Sequence, residues 1–473
     1  MTSATETSHQ ETADGGLSRW PVALLLASAS FLVLFDSLAL ATALPSIGAD
    51  FRLRPGSLQW VISLYSLSIG AFLVLGGRVS DLWGRRRTLL ASLALCTAAG
   101  LVAGLAPGLP LLLAGRVLQG LAAAFAIPAA LATAATVFPE EPWKSRVFSV
   151  IAFAAWSAGL AGAMLGGLIT AHLGWRWVLL LTVPVAAAAF AAAATLLPPD
   201  PPRRGAGERL DVGGALLASG GLVALILGLQ QLTDDRHTVR SVLIACLGLV
   251  LLGGLVVVER RVTHPLVKLG LLRSRRITGS FLAFGAYCAG YSAVIVLGSL
   301  YLQDVHGLSA TAAGLTLSPV LVGGIVSSSL SSMVLRRFGA RAVLTPAFLL
   351  CALALTVVTL LGTADVVVLA PWLVLWGIAS GPIYVALTSE SIGIAAEEDR
   401  GTVSALFESM SHVGGGVAVA VYLTMLDAGA GYRAARLLGA VSVALGAVLV
   451  CLLLSGRDRG RPNPVLPGRT LRD

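Results

Sequence analysis

The sequence predicts an all-α integral membrane protein with fourteen transmembrane helices. Three observations predict it. Of 473 residues, 56% are hydrophobic and only 12% are charged, against about 25% charged residues in a soluble domain. The mean hydropathy of +0.86 extends along the chain and exceeds what one soluble core would need. The apolar runs recur at the length of a bilayer span, about 20 residues, with short charged segments between them.

The elements follow in order. Residues 1–19 are polar and carry Glu6, Glu11 and Asp14. They lack the basic start and shorter apolar core of a cleavable leader, so the run at residues 21–44 is expected to remain as the first helix. The second and third helices centre near residues 68 and 97. Between them lies a tight charged hinge, Gly77-Arg78-Val79-Ser80-Asp81-Leu82-Trp83-Gly84-Arg85-Arg86-Arg87. Runs centred near 124, 158 and 187 complete six helices. The proline-rich, basic stretch 198–209 then breaks the apolar pattern. Two more runs centre near 222 and 249, followed by the charged stretch 259–276 with His264-Pro265, expected to hold a short surface helix. The last six runs centre near 290, 322, 352, 380, 414 and 445.

The hinge has a degenerate echo, Arg336-Arg337-Phe338-Gly339-Ala340-Arg341, which lacks the acid. The two hinge glycines, Gly84 and Gly339, are 255 residues apart. Six helices cannot fill that interval, but eight can. The expected division is a tail (1–19), a six-helix bundle (20–198), a linker (199–211) and two inserted helices (212–259). A loop (260–277), a second six-helix bundle (278–456) and a tail (457–473) complete it. Two parallel repeats facing a midplane cavity suit alternating access.

Arginine and lysine set the orientation. With the N-terminus inside, 25 of them fall on cytoplasmic segments and 7 on outer ones. The positive-inside rule then places both termini in the cytoplasm. The net charge of +9 is thus spread over short loops, which argues against nucleic-acid binding. The five cysteines lie in apolar runs without metal or redox spacing. The six histidines are scattered and there is no phosphate loop, so neither a metalloenzyme nor ATP-driven chemistry is supported. Lysine occurs only at Lys144 and Lys268, a bias that points to a GC-rich bacterial genome.

Ionisable residues inside a span are costly and mark function or a partner. Asp36 lies on the order of 13 Å from the outer end of the first helix, and Arg116 on the order of 10 Å from the same face in the fourth. The matching depths predict that the two are coupled, directly or through water and Gln119. Protonation of Asp36 would weaken that pair and link a proton to a conformational change. The alternatives are a static ion pair, or Arg116 snorkelling outwards. Glu408 stands about two turns into the thirteenth helix, with His412 at i+4; they could bind a cation or carry a second proton, or line a wet vestibule. Trp156 and Trp376 lie mid-helix, and Tyr287 and Tyr291 share a face, so these rings are candidates for an aromatic cavity wall or for ordinary packing; Gln119 and His412 are expected to line the same substrate cavity. Gly159, Gly162 and Gly166 share a face that permits close helix crossing, and Gly167 adjoins it.

Four motifs together resemble the major facilitator superfamily, in its fourteen-helix drug:proton antiporter branch. They are the hinge at residues 77–87, Arg116-Val117-Leu118-Gln119-Gly120, Gly162-Ala163-Met164-Leu165-Gly166-Gly167, and Asp36 ahead of Ala43-Leu44-Pro45. Departures from the family pattern are Leu82 after the hinge acid, Ala163 in place of a proline, Ala41 in place of a polar residue and Glu408 where the family often has Asn. The resemblance implies the major facilitator fold and a transporter rather than an enzyme. It implies proton-coupled efflux of small lipophilic or cationic drugs or antibiotics by alternating access. Export of an endogenous metabolite and proton-coupled import of a nutrient are the alternatives. The implied partners are a small-molecule substrate, protons and the lipid bilayer, with no cofactor, no metal and no nucleic acid. A monomer in a bacterial inner membrane is expected. It also implies a cytoplasmic latch of Gly77, Asp81, Gly84, Arg85 and Arg86 against the start of the thirteenth helix, near residues 401–404. The Asp81 carboxylate would meet the positive end of that helix. The acids Glu397, Glu398 and Asp399 would draw the arginines.

Overall fold

The computed structural model describes residues 19–52, 55–200, 211–231, 238–262 and 269–453. The expected N-terminal tail up to residue 18, the linker residues 201–210, loop residues 263–268 and the C-terminal tail lie outside the described residues.

Fourteen long helices run through the described residues. They are α1 (Arg19–Asp50), α2 (Pro55–Trp83), α3 (Arg85–Gly104), α4 (Leu109–Val137), α5 (Trp143–Leu173), α6 (Trp175–Leu196) and α7 (Val212–Gln231). Then come α8 (Thr238–Glu259), α9 (Arg275–Asp304), α10 (Ala312–Phe338), α11 (Ala340–Leu361), α12 (Val366–Ile394), α13 (Arg400–Asp427) and α14 (Gly431–Leu453). Thirteen are long and apolar enough to cross a membrane; the described apolar part of α7, Gly213–Gly228, is shorter. A turn of π-helix, Ala293–Leu297, interrupts α9.

Glycine hinges reveal the repeat. Gly84 (φ 109°) joins α2 to α3, and Gly339 (φ 79°) joins α10 to α11. Gly174 (φ 90°) joins α5 to α6, and Gly431 (φ 76°) opens α14. Left-handed backbone is nearly free for glycine and strained for other residues, so the same sharp turn recurs at matching places in the two halves.

Packing repeats as well. In the first half α1 lies on α5, α2 on α4, and α3 on α4 and α6; in the second, α9 lies on α13, α10 on α12, and α11 on α12 and α14. Small residues set these close crossings, since apolar side chains gain little by leaving lipid. A Cβ on Gly162 would lie 2.8 Å from the Phe35 carbonyl oxygen, and one on Gly166 would lie 2.6 Å from Ala39 Cα. The same role falls to Gly414, where a Cβ would lie 2.8 Å from the Gly285 carbonyl oxygen. The halves meet along α2–α13 and α5–α10. The inserted pair is antiparallel and close-packed, and α7 lies on α2 and α13 through Ala215, Ala218 and Leu222.

Candidate functional site

Three clusters of polar and aromatic side chains join helices within and between the two halves. The first sits on the hinge face, where α2 ends and α13 begins. Asp81 accepts hydrogen bonds from Gly401 N (2.8 Å), Thr402 N (2.8 Å) and Thr402 Oγ1 (2.9 Å). The first amides of a helix have no intrahelical acceptor and carry the positive end of its dipole. Asp81 therefore caps α13 from the other half of the molecule. The approach requires two glycines: a Cβ on Gly401 would lie 2.5 Å from the Gly77 carbonyl oxygen and 2.6 Å from Asp81 Oδ1. Around this core Arg400 Nη1 donates to Ala135 O (3.1 Å) and Thr136 Oγ1 (3.0 Å), and Ser404 Oγ donates to Pro128 O (3.1 Å). That last carbonyl belongs to a proline inside α4. Arg85 donates to Thr136 Oγ1 (2.5 Å) and to the Glu397 carbonyl, and its Nη1 stands 3.6 Å from Glu397 Oε1. The Glu397 side chain is two-thirds exposed, so that ion pair adds little beyond the hydrogen bonds.

A second cap lies beside the first. Asp200, just past the end of α6, accepts from Arg86 N (2.9 Å) and Arg87 N (3.0 Å) at the start of α3. The Arg86 side chain returns to Ala194 O at 2.7 Å. A side chain at Gly84 would run into the Asp200 carboxylate.

The second cluster is buried in the first half. Arg116 Nη1 donates to Asp36 Oδ2 (2.5 Å) and Gln119 Oε1 (2.9 Å), and Nε donates to Val61 O (3.0 Å). Gln119 Nε2 reaches Asp36 Oδ1 at 3.4 Å. The guanidinium lies 4.1 Å over the Tyr65 ring. Asp36, Arg116 and Gln119 expose 4%, 1% and 4% of their surfaces. Desolvating such a pair costs about as much as its attraction returns, but losing one partner strands a charge at about 3–5 kcal/mol. A cavity of about 20 Å³, room for about one water, lies against Asp36, Gln119, Tyr65, Cys96 and Thr182.

The third cluster is a column of rings crossing from α5 into the second half. Trp156 meets Tyr291 edge-on (6.1 Å), Tyr291 stacks on Tyr287 (6.2 Å), and Tyr287 stacks on Trp376 (6.2 Å) and Phe284 (6.1 Å). Phe284 stacks on Phe407 at 4.2 Å and meets Tyr384 at 5.9 Å. The column ends at a carboxyl group: Tyr384 Oη donates to Glu408 Oε1 at 2.8 Å. Trp156 also covers Gly324 of α10, where any side chain would meet its indole ring.

Comparison with known proteins places this architecture. The Major Facilitator Superfamily profile matches residues 26–419 and 280–470. The chain belongs to the major facilitator superfamily. This family consists of membrane transporters, not enzymes. The chain is 34% identical over 412 residues to a puromycin resistance protein of Streptomyces alboniger, covering 86% of this chain and 82% of that one. It is 33% identical over 414 residues to a cephamycin export protein of Amycolatopsis lactamdurans, covering 86% and 85%. A human organic anion transporter has the same fold, with a TM-score of 0.69 at 18% identity, covering 92% of this chain and all of that one. A proton:xylose symporter follows at 0.65 and 15%, covering 92% and 95%.

Within this major facilitator chain the structure sorts the sequence-derived residues. Gly77, Asp81 and Arg85 meet the start of α13, while Gly84 and Arg86 turn to Asp200. Gln119 joins Asp36 and Arg116 rather than the aromatic residues. Trp156, Tyr287, Tyr291 and Trp376 come together, but Tyr287 and Trp376 are packed at 6% and 1% exposure rather than facing an open chamber. Glu408 and His412 do not form a pair among the described residues. Glu408 bonds to Tyr384 of α12, whereas His412 lies beside Gly70 of α2, where Ile226 of α7 also reaches in. Gly159, Gly162 and Gly166 face α1, but Gly167 does not pack: a Cβ there meets nothing within 4 Å. Reading the sequence missed Asp200, Thr136, Thr402, Tyr65 and Tyr384. Of these, Thr402 alone had a local signal, as a hydroxyl beside a glycine in the first turn of α13.

Proposed function

We propose that this protein is a proton-coupled exporter of small drugs or antibiotics that works by alternating access. The moving bodies are the bundles 20–198 and 278–456, with 212–259 as the inserted pair. The hinge face is cytoplasmic, as the excess of arginine there requires, and both termini lie on that side of a bacterial cell membrane. A monomer contains every element the cycle uses.

The observation that carries the proposal is the buried Asp36–Arg116 pair, with Gln119 as its third member. With Asp36 ionised, the pair holds α1 against α4. A proton on Asp36 leaves Arg116 with Val61 O, Gln119 and the Tyr65 ring, and frees α1 to shift. Substrate meets the ring column once the two halves part, where flat faces and the Glu408 carboxyl group suit planar or cationic molecules. The Asp81 clasp holds the cytoplasmic side shut while the outer side exchanges substrate for protons. The names of relatives, which include puromycin, cephamycin, tetracenomycin C and lincomycin resistance or export proteins, support efflux as the direction.

The test is substrate movement in proteoliposomes under an imposed pH gradient, with puromycin, lincomycin and a lipophilic cation as probes. Accumulation that follows the gradient and collapses when it is dissipated supports the proposal. Movement indifferent to the gradient would overturn the proton-antiport reading. A gradient-driven uptake of sugars or amino acids in its place would favour nutrient import.

A further inference from the structure

The face opposite the hinge carries the same small construction twice, and the two copies differ in one respect. In the first half, Gly174-Trp175-Arg176 opens α6 and Asp50 closes α1. Asp50 Oδ2 accepts from Trp175 Nε1 (3.0 Å) and Arg176 Nη1 (2.8 Å), so the arginine has its counter-ion. The guanidinium also stacks 4.5 Å from the Trp175 ring. In the second half, Gly431-Tyr432-Arg433 opens α14 and Asp304 closes α9. Tyr432 Oη donates to Asp304 Oδ2, as Trp175 does to Asp50. Arg433 is exposed and makes no ion pair with Asp304 among the described residues.

One turn deeper the second half adds Arg436, which the first half lacks. Arg436 exposes 4% of its surface. Its guanidinium lies 5.1 Å over the Tyr301 ring, and among the described residues it forms no ion pair. Its Nε is buried without a hydrogen-bond partner. The Tyr301 hydroxyl donates to Gly362 O at 3.0 Å, and among the described residues it accepts no hydrogen bond from Arg436, which lies over the ring instead. His306 packs edge-on against Tyr301, 5.1 Å between ring centres, and its Nε2 is likewise buried and unpartnered. Two unsatisfied nitrogen groups, one permanently cationic, thus converge on one ring. A buried guanidinium without a counter-ion is costly, and its planar fork matches an oxyanion.

We propose that Arg436, His306 and Tyr301 form an oxyanion site on the face opposite the hinge, taking a phosphate-type group. The phosphate is either inorganic or the phosphodiester of a lipid headgroup, since Arg436 lies on the order of 8 Å inside the end of α14, close to headgroup depth. Asp304 accepts from Tyr432 and makes no ion pair with Arg436 among the described residues. The site does not depend on the transport reading.

The test uses the full chain, purified and stripped of lipid. Thermal unfolding is followed against inorganic phosphate, then against phosphatidylglycerol, with diacylglycerol as the headgroup-free control. Stabilisation by both assigns a general phosphate site; by phosphate alone, a free-anion site; by phosphatidylglycerol alone, a headgroup site. In each case Arg436→Met should weaken the apparent affinity about tenfold or more, and His306→Ala should weaken it less. Asp304→Asn should leave it equal or tighter. If Arg436→Met does not fold, His306→Ala and Asp304→Asn carry the test. No stabilisation by either phosphate source, or equal affinity in the wild type and the His306 and Arg436 variants, would overturn the site.

Discussion

Asp81→Asn is the sharpest single perturbation of this molecule. The substitution keeps shape and one acceptor oxygen but removes the charge that three donors address: Gly401 N, Thr402 N and Thr402 Oγ1. Hydrogen bonds to a charged group contribute about 1.5–3 kcal/mol each, and a charge at a helix end about 0.3–1 kcal/mol more. Asn forfeits part of each and one bond outright, so the closed hinge face should lose roughly 2–4 kcal/mol, trimmed toward the lower end because the site is only partly buried. That is a factor of roughly 30 to 1,000 in the balance between closed and open. Labels for distance measurement belong at Arg87 and Ala396, both exposed and on opposite sides of the clasp, in a background without the five native cysteines. Asp81→Asn should shift the electron–electron distance distribution toward a longer separation. An unchanged distribution, with and without a pH gradient, would refute the reasoning. The contacts of Arg400 and Ser404 would then be sufficient on their own.

Other outcomes follow from the same geometry. Gly77→Ala and Gly401→Ala should each open the clasp, since a Cβ on Gly401 meets the Gly77 carbonyl at 2.5 Å; combined with Asp81→Asn the effects should be less than additive, and full additivity in the distance assay would separate the glycines from the acid. Asp36→Asn or Arg116→Gln alone should destabilise the protein by about 3–5 kcal/mol. The double variant should recover much of the unfolding midpoint without recovering gradient-driven transport. Tyr384→Phe removes the donor to Glu408, a bond of about 1.5–3 kcal/mol. Affinity for cationic substrates should change while that for neutral ones stays put, and equal changes for both would count against Glu408 as a cation partner.

Depth and periodicity were legible in the sequence, and pairings across the bundle were legible only where depth decided them. Asp36 and Arg116 lie on helices that must run antiparallel, so the rise per residue alone brings them level, and the structure joins them at 2.5 Å. The hinge glycines could be read because left-handed backbone has few other solutions. Glu408 and His412 show where such reasoning stops. Spacing puts two residues on one side of a helix, but neighbouring helices decide where each points, and α12 draws Glu408 while His412 lies against α2. Asp200 was invisible for a related reason: it caps a helix 114 residues away in sequence. Gly167 shares a motif with Gly166, yet adjacent residues on a helix face 100° apart, and only Gly166 meets α1.

The central claim is that substrate leaves in exchange for protons through Asp36. It is tested most directly by a pH-sensitive dye trapped in proteoliposomes carrying the purified protein. Adding puromycin to one side should drive protons the opposite way in the wild type and produce no proton signal in Asp36→Asn. Substrate movement without a proton signal in the wild type, or an undiminished signal in Asp36→Asn, would contradict the account.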